Sequence, residues 1–397
     1  PAVLAAVLEP VGATAERLVP AQTSYYPGRS LSVRHEVTVR WADGTRTTES
    51  MVLASGRRAP EGAFTISDGT HEVVVWRVPH DPWLPGLAPA LTPEVVAPLL
   101  AGIGLEAPSL RTTMRAYRPG RRAVVEVTGA GVRSFLKVVP TRSVEALHRR
   151  HEALAGAVPV PHSLGWSAEH GIVVLQALPG RTLRQAMLAR FGLPGPGALL
   201  RVLDALPAVD AAGARSVDWR AGEFGALLSA VMPELAGRTA ALADGMAPFE
   251  ARAGDEPIVP VHGDFYEAQL LVDGGAVTGL LDVDTFGPGR RVDDLATMIG
   301  HLSVLALGSP RRAVIERYAA RLLDGFDRTV DPALLRAAVA GVVLGLATGP
   351  FRVLEPNWRH HTHARVELAE RWLASAERVD AGPRRSPALA PAGGTVA

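Results

Sequence analysis

The sequence predicts an α+β protein built as two lobes, with an additional β-rich segment ahead of them. Three observations carry this. Two clusters of strand-type alternation lie in the amino-terminal part, over residues 22–78 and 112–139. Helical periodicity dominates from Leu183 to about Phe249 and again from Asp293 to Val379. Between those helical stretches, residues 258–287 revert to short strands and turns. Sheet plus one helix, a connecting strand, then a helical lobe with a small β insert is an α+β layout.

The opening PAVLAAVLEP is apolar but lacks a basic region and soon meets Glu9, so it reads as a first helix and not as a signal peptide. LSVRHEVTVRW and TRTTESMVLAS flank Ala42-Asp43-Gly44, a hairpin signal, and HEVVVWRV (71–78) supplies a further strand. The Pro-rich 81–93 reads as a connection and 94–103 as a short helix. The second cluster runs TTMRAYRPGRRAVVEV, then SFLKVV. It echoes the first: Tyr25-Tyr26-Pro27-Gly28-Arg29 matches Tyr117-Arg118-Pro119-Gly120-Arg121. Aligning Ser50 with Ser134 puts Leu53 opposite Lys137. Either the first cluster is a degenerate copy of the second, or two hairpins share a common turn. A helix over 143–156 and a strand over 171–178 follow. The expected division is an amino-terminal β-rich cap (1–105), a nucleotide-binding lobe (106–178), a helical lobe with the catalytic loop (179–380) and a disordered tail (381–397).

Composition narrows the function. The 41 basic and 40 acidic residues nearly cancel, which argues against a general nucleic-acid binder. Without cysteine there is no disulfide, thiolate metal site or cysteine nucleophile. No run of about 18 uninterrupted apolar residues predicts a membrane span, so a cytoplasmic protein is the default expectation. The chain holds a single lysine, Lys137, and a single asparagine, Asn357, against a background rich in Arg, Ala, Gly and Pro. Where arginine has replaced lysine nearly everywhere, a remaining lysine marks a place where a compact ammonium is needed, unless it survived by chance.

Chemistry concentrates in VHGDFYEAQLLVDGGAVTGLLDVDTFGPGRRVDDLATMIGHL (261–302). His262-Gly263-Asp264 opens a loop. Two short apolar strands follow, joined at Asp273-Gly274-Gly275, and Asp282 and Asp284 come directly after the second. A hairpin there brings Asp264, Gln269, Asp282 and Asp284 to one end. Such carboxylates suit a hard divalent ion held together with substrate phosphates. Phosphoryl transfer needs this kind of loop: a base for the hydroxyl and a metal to neutralise phosphate charge.

This segment resembles the catalytic motif of the aminoglycoside phosphotransferase and choline kinase family, whose fold is protein-kinase-like. The family pattern is H-G-D, four residues, Asn, then a β turn leading to Asp; His262-Gly263-Asp264 and Asp282 fit it. The resemblance implies a bilobal protein-kinase-like fold, with Asp264 as catalytic base, Asp282 as main metal ligand and Asp284 as a second. Asp294, in Asp293-Asp294-Leu295-Ala296, would brace the loop. The family Asn is Gln269 here, an amide one methylene further out. Maltokinases resemble this chain in that Gln and in an amino-terminal cap. Lys137, in Phe135-Leu136-Lys137-Val138-Val139, resembles the lysine that contacts the α- and β-phosphates, which needs a helix glutamate; Glu145 is the first candidate and Glu152 the second. There is no G-x-G-x-x-G, and Arg121 in the Arg118–Arg122 turn would touch phosphates instead. Gln176 and Leu178 fall where the family's hinge meets adenine. The cofactors implied are ATP and Mg2+.

Plainer readings stand beside these. His360, His361 and His363 read as a solvated helix face, not a metal site. Arg149-Arg150-His151 reads as solvated surface. Trp358 and Trp372 read as core or rim aromatics. The acceptor is a small hydroxylated molecule, aminoglycoside-like or a sugar. An acidic pocket for a polycation would draw on Asp204, Asp210, Asp218, Glu223, Glu234, Asp244 and Glu250. A catalytically silent nucleotide-binding module is the alternative of another class. Oligomeric state is left open.

Overall fold

The computed structural model describes residues 2–189, 192–210 and 219–382. Its sheets repeat one topology. Helix α1 (Ala2–Leu8) leads into a five-stranded sheet of β1 (Thr14–Tyr26), β2 (Ser30–Arg40), β3 (Arg46–Ser55), β4 (Thr65–Ser67) and β5 (Glu72–Arg77), in the order β1-β2-β3-β5-β4. Helices α2 (Leu87–Ala90) and α3 (Pro93–Ala101) follow. The second sheet contains β6 (Arg111–Arg118), β7 (Arg122–Gly129), β8 (Val132–Val138), then, after helix α4 (Thr141–Ala155), β9 (Ser163–Ser167) and β10 (Ile172–Gln176). Its order is β6-β7-β8-β10-β9, the same path. In both, a Pro-Gly turn joins the first two strands, Leu53 pairs with Val75 and Lys137 with Val173. The likeness between the clusters thus extends from the shared turn to the whole strand order.

Each sheet has its own core. Leu4, Leu8, Val37, Val39, Met51 and Val75 close the first under α1. One face of the second is covered by α2 and α3 through Leu84, Leu87, Val96 and Leu100. These helices belong to the 1–105 stretch of the sequence division, yet they pack on the sheet that follows it. The other face meets α4 through Val144 and Leu147 against Val139, Val173 and Leu175.

A short link after β10 enters the helical lobe. There β11 (Arg181–Thr182) pairs with β13 (Leu270–Asp273), which pairs with β14 (Ala276–Leu280), and β12 (Val259–Val261) pairs with β15 (Gly287–Gly289). Around them lie α5 (Leu183–Ala189), α6 (Pro196–Asp204), α7 (Ala221–Val231), α8 (Ala236–Ala253), α9 (Arg291–Gly308), α10 (Arg312–Phe326), α11 (Pro332–Ala347), α12 (Gly349–Arg352) and α13 (Trp358–Asp380). The segment Pro332–Arg352 is long and apolar enough to cross a membrane, with mean hydropathy 1.7, but 67% of that window is buried among the other helices. Its larger part, α11, is the central helix of this lobe's core. The mixed α+β architecture with a β-rich amino-terminal region agrees with the expectation from sequence. The tail expected from 381 lies outside the described residues beyond Gly382.

Candidate active site

The catalytic segment is held from below by a buried carboxylate. Asp294, in the first turn of α9, is fully buried and accepts the backbone N–H of His262 and of Gly263, each at 2.8 Å. A helix amino terminus favours negative charge, but burial dominates and pushes the Asp294 carboxyl up to about 7. The buried His262 ring donates its Nε2–H to the carbonyl of Leu281 at 2.9 Å, while Nδ1 accepts the N–H of Asp264 at 3.3 Å. One imidazole thereby ties the loop of Asp264 to the strand end before Asp282. Gly263 has φ +80°, and a Cβ there would stand 2.8 Å from the Thr285 carbonyl oxygen. Only glycine combines that backbone with that approach.

Asp264 is half-buried. Its carboxyl is pushed up to about 6, first by burial and then by the charge of Asp282, against the opposing pull of Arg122 and Arg118 and a hydrogen bond from Gln269. A carboxylate poised near neutrality suits a general base. The Gln269 amide donates to the Tyr266 hydroxyl at 3.2 Å and approaches Asp282 Oδ2 at 3.4 Å. The hairpin β13–β14 therefore does gather Asp264, Gln269 and Asp282, as the spacing predicts.

Asp282 sits in the left-handed region at φ +53°, and Asp284 follows in a one-turn 3-10 helix, Val283–Thr285. Together they meet two cations from the second sheet. Lys137 Nζ lies 2.7 Å from Asp282 Oδ1 and 2.5 Å from Asp284 Oδ1. Arg122 makes a fork: Nη2 to Asp282 Oδ2 at 2.9 Å, Nη1 to Asp284 Oδ2 at 2.7 Å and to Asp282 Oδ1 at 3.2 Å. Burial raises the Asp282 carboxyl, but Lys137 and Arg122 outweigh it and hold it below its ordinary value.

The donor set fits a hard divalent ion. Two carboxylates turn their four oxygens to one place, where cationic nitrogens already gather. Among the described residues no three His, Asp or Glu side chains form a complete cage. Phosphate oxygens would have to complete the shell, which is how magnesium is ordinarily held.

Several expected residues stand elsewhere. Glu145 does not meet Lys137: its side chain is 54% exposed and pairs with Arg149 one turn on. Glu152 is 59% exposed and pairs with His148 at 3.2 Å. The inward face of α4 is Val144, Leu147, His151 and Leu154, and neither glutamate lies on it. Arg121 points outward to the Tyr26 hydroxyl at 3.1 Å, and Arg122 takes the inward position. Gln176 is exposed at the end of β10, with its backbone N–H committed to the His162 carbonyl at 2.9 Å. Leu178 lies on the link, against Gly279 of β14. Arg149-Arg150-His151 is not simply surface: His151 is 1% exposed with Nδ1–H donating to the Pro161 carbonyl, and Arg150 donates to the Asp284 carbonyl at 2.8 Å.

Three groups outside the motif hold the turn between β6 and β7. Asp81, 2% exposed, accepts the Gly120 N–H at 2.7 Å, the Tyr117 hydroxyl at 2.8 Å and the Trp83 N–H at 2.9 Å. Trp76 donates to that hydroxyl at 2.9 Å, and Arg57 donates to the Gly120 carbonyl at 3.2 Å. Nothing in the spacing of Asp81 announces this. For Arg122 there was a signal: Val124 pairs with Lys137, and strand alternation puts residue 122 on the face of 124 and residue 121 on the other.

The family model described as the phosphotransferase enzyme family matches residues 113–331, more than half of the chain and all of this motif. The chain belongs to the phosphotransferase enzyme family. It is thus a kinase-type enzyme by family. No curated protein matches this phosphotransferase in sequence. Among solved structures it is similar to aminoglycoside phosphotransferase APH(4)-Ia in ternary complex with ADP and hygromycin B. The identity there is 16% over 72% of this chain and 98% of that one, with a TM-score of 0.44. It is also similar to the macrolide 2'-phosphotransferase MphH from Brachybacterium faecium, at 20% identity over 69% and 98%, TM-score 0.41. An aminoglycoside-3'-phosphotransferase of type VIII shares 24% over 58% and 93%, TM-score 0.40.

Proposed function

We propose that this phosphotransferase moves the γ-phosphoryl group of ATP, as its Mg2+ complex, to a hydroxyl of a small molecule. The observation that carries the reading is the meeting of Lys137 and Arg122 with Asp282 and Asp284 beside a raised-pKa Asp264. Asp264 would take the acceptor's proton, while Asp282 and Asp284, with the Gln269 amide oxygen turned inward, would hold the metal. Lys137 and Arg122 would meet the phosphates. Gln176 and Leu178 belong to the adenine side of this reading. Residues 106–178 would be the nucleotide lobe and 179–380 the catalytic and acceptor lobe.

For the acceptor, charge supports a sugar or amino sugar over a polycation. Arg118 and Arg122 both act on Asp264. Of the acids that might have made an anionic pocket, Asp204 pairs with Arg291, Glu223 with Arg220 and Glu234 with Arg359. Glu250 accepts the Trp219 N–H. Asp218 lies outside the described residues. A maltokinase-like disaccharide kinase is one member of this class.

The test is a transfer assay with Mg2+-ATP against maltose, glucosamine, choline and a set of aminoglycosides, scored by mass of the phosphorylated product. Transfer to a neutral or singly charged sugar is the expected result. Tight Mg2+-nucleotide binding with no ADP formed on any acceptor would leave a silent nucleotide-binding module and end this reading.

A further inference from the structure

We propose that Arg122 and the metal–nucleotide complex compete for the same two carboxylates, and that Arg122 yields them by moving onto the phosphate chain. The proposal rests on the function given above. Its ground is that Asp282 and Asp284 are already saturated. All four of their oxygens receive an N–H: Lys137 takes one on each residue, and the Arg122 fork reaches both residues through three contacts of 2.7–3.2 Å. A divalent ion binds carboxylate oxygens directly, and a guanidinium lying on those oxygens excludes it. The two occupants satisfy the same atoms and do so one at a time.

Position separates the two cations. Lys137 lies near the end of β8, paired with β7 on one side and β10 on the other, and is only 6% exposed at its side chain. Arg122 opens β7 directly after the Pro119-Gly120 turn, and its side chain is 24% exposed. A long arm at a turn has room to swing where a strand-bound one has not. Charge sets the direction of the exchange. A bare divalent ion would enter beside Lys137 and Arg122 with only two carboxylates to share among three cations. Metal arriving with a polyphosphate brings its own negative charge, and the phosphates give the displaced guanidinium a new bidentate partner. The site therefore discriminates against free metal and accepts metal with nucleotide. Arg122 supplies by side chain what a glycine-rich loop supplies by backbone N–H groups.

The test measures binding, with Mn2+ as the paramagnetic probe of the metal site. Mn2+ alone is titrated into the wild type, Arg122→Gln, Arg122→Lys and the double variant Arg122→Gln/Asp282→Ala, each first checked for a native circular dichroism spectrum and melting transition. Arg122→Gln should bind Mn2+ alone at least tenfold more tightly than wild type. It should bind Mn2+-ADP less tightly than wild type, and the double variant should lose the gain. Arg122→Lys, which keeps the charge but not the fork, should fall between, and it decides the question if the glutamine variant does not fold. Equal or weaker Mn2+ binding by Arg122→Gln overturns the proposal, as does a gain that survives loss of Asp282. Turnover separates the two readings: if Asp282→Ala remains fully active, the proposed function is wrong. If it is inactive and Arg122→Gln shows no gain, only the competition is wrong.

Discussion

Lys137 on β8 and Asp282 beyond β14 are in direct contact across the cleft, Nζ to Oδ1 2.7 Å, although 145 residues separate them in the chain. The one lysine of the sequence thus places its charge on the carboxylates of Asp282 and Asp284 and not on a helix glutamate. A buried ammonium in this slot is not interchangeable with a guanidinium, whose fork is wider and whose donors point elsewhere. Lys137→Arg is expected to fold, keep its net charge and lose nucleotide affinity or turnover by at least about tenfold, near 1.4 kcal/mol. A steady-state comparison with a melting curve checks this, and a silent substitution would mean that the lysine persisted by chance.

The placement of Glu145 makes the opposite forecast. Half-exposed and, among the described residues, paired only with Arg149, it contributes little. Glu145→Ala should change stability by less than about 0.5 kcal/mol and leave the KM for ATP unmoved. A tenfold rise in that KM would restore the helix glutamate to the nucleotide site.

Asp264 ties activity to pH. With its carboxyl pushed up to about 6, kcat/KM should fall as pH drops through 6, because the protonated acid takes no proton from the acceptor. Asp264→Asn should lower kcat by roughly a hundredfold or more with ATP affinity largely kept. Stability should move the other way. The folded-state pKa lies above the ordinary aspartate value of 3.8, so ionisation costs the folded state, fully above about pH 6 and not below about pH 4. Asp264→Asn removes that cost. It should melt above wild type at pH 8, by about 1 kcal/mol once solvent screening is allowed for, with the gap closing toward pH 4.

Asp81 lies outside the catalytic motif yet carries the Gly120 N–H, the Tyr117 hydroxyl and the Trp83 N–H. Asp81→Ala leaves those buried donors without an acceptor and should cost about 3 kcal/mol. Hydrogen exchange should quicken over residues 118–122, and the KM for ATP should rise more than kcat falls. If exchange there is unchanged, the turn holds its shape without Asp81.

Gly263→Ala tests the loop's geometry. The positive φ and the 2.8 Å approach to Thr285 combine strain with overlap. A loss of at least about 2 kcal/mol is expected, with turnover falling further than Mg2+-ATP affinity. A calorimetric melt beside a binding titration separates the two effects.

Much of this was legible in sequence because it is local. The hairpin that groups Asp264, Gln269 and Asp282 follows from two apolar runs around Asp273-Gly274-Gly275, and turn chemistry of that kind reads directly. The repeated Pro-Gly turn left a copy and a coincidence both open, and the two sheets share one strand order. Partners chosen by tertiary packing were harder to read. The family resemblance points to Glu145, whereas the apolar stripe of α4 puts His151 inward and Glu145 outward. Turn position alone points to Arg121, whereas pleat alternation from Lys137 favours Arg122. Asp81 gave no sign at all, since its partners come from residues 83, 117 and 120. A buried carboxylate that serves a distant turn has no local pattern.

One feature of the fold limits how the lobes can move. The strand β1 packs against α12 of the helical lobe, while its own sheet is fastened to the β6–β7 turn through Asp81, Arg57 and Tyr26. The second connection between the lobes is covalent, the link after Gln176. Two fixed footholds define an axis. Motion that keeps both intact is rotation about the line joining them, like a door on two hinges, and not the free gaping of a jaw on one.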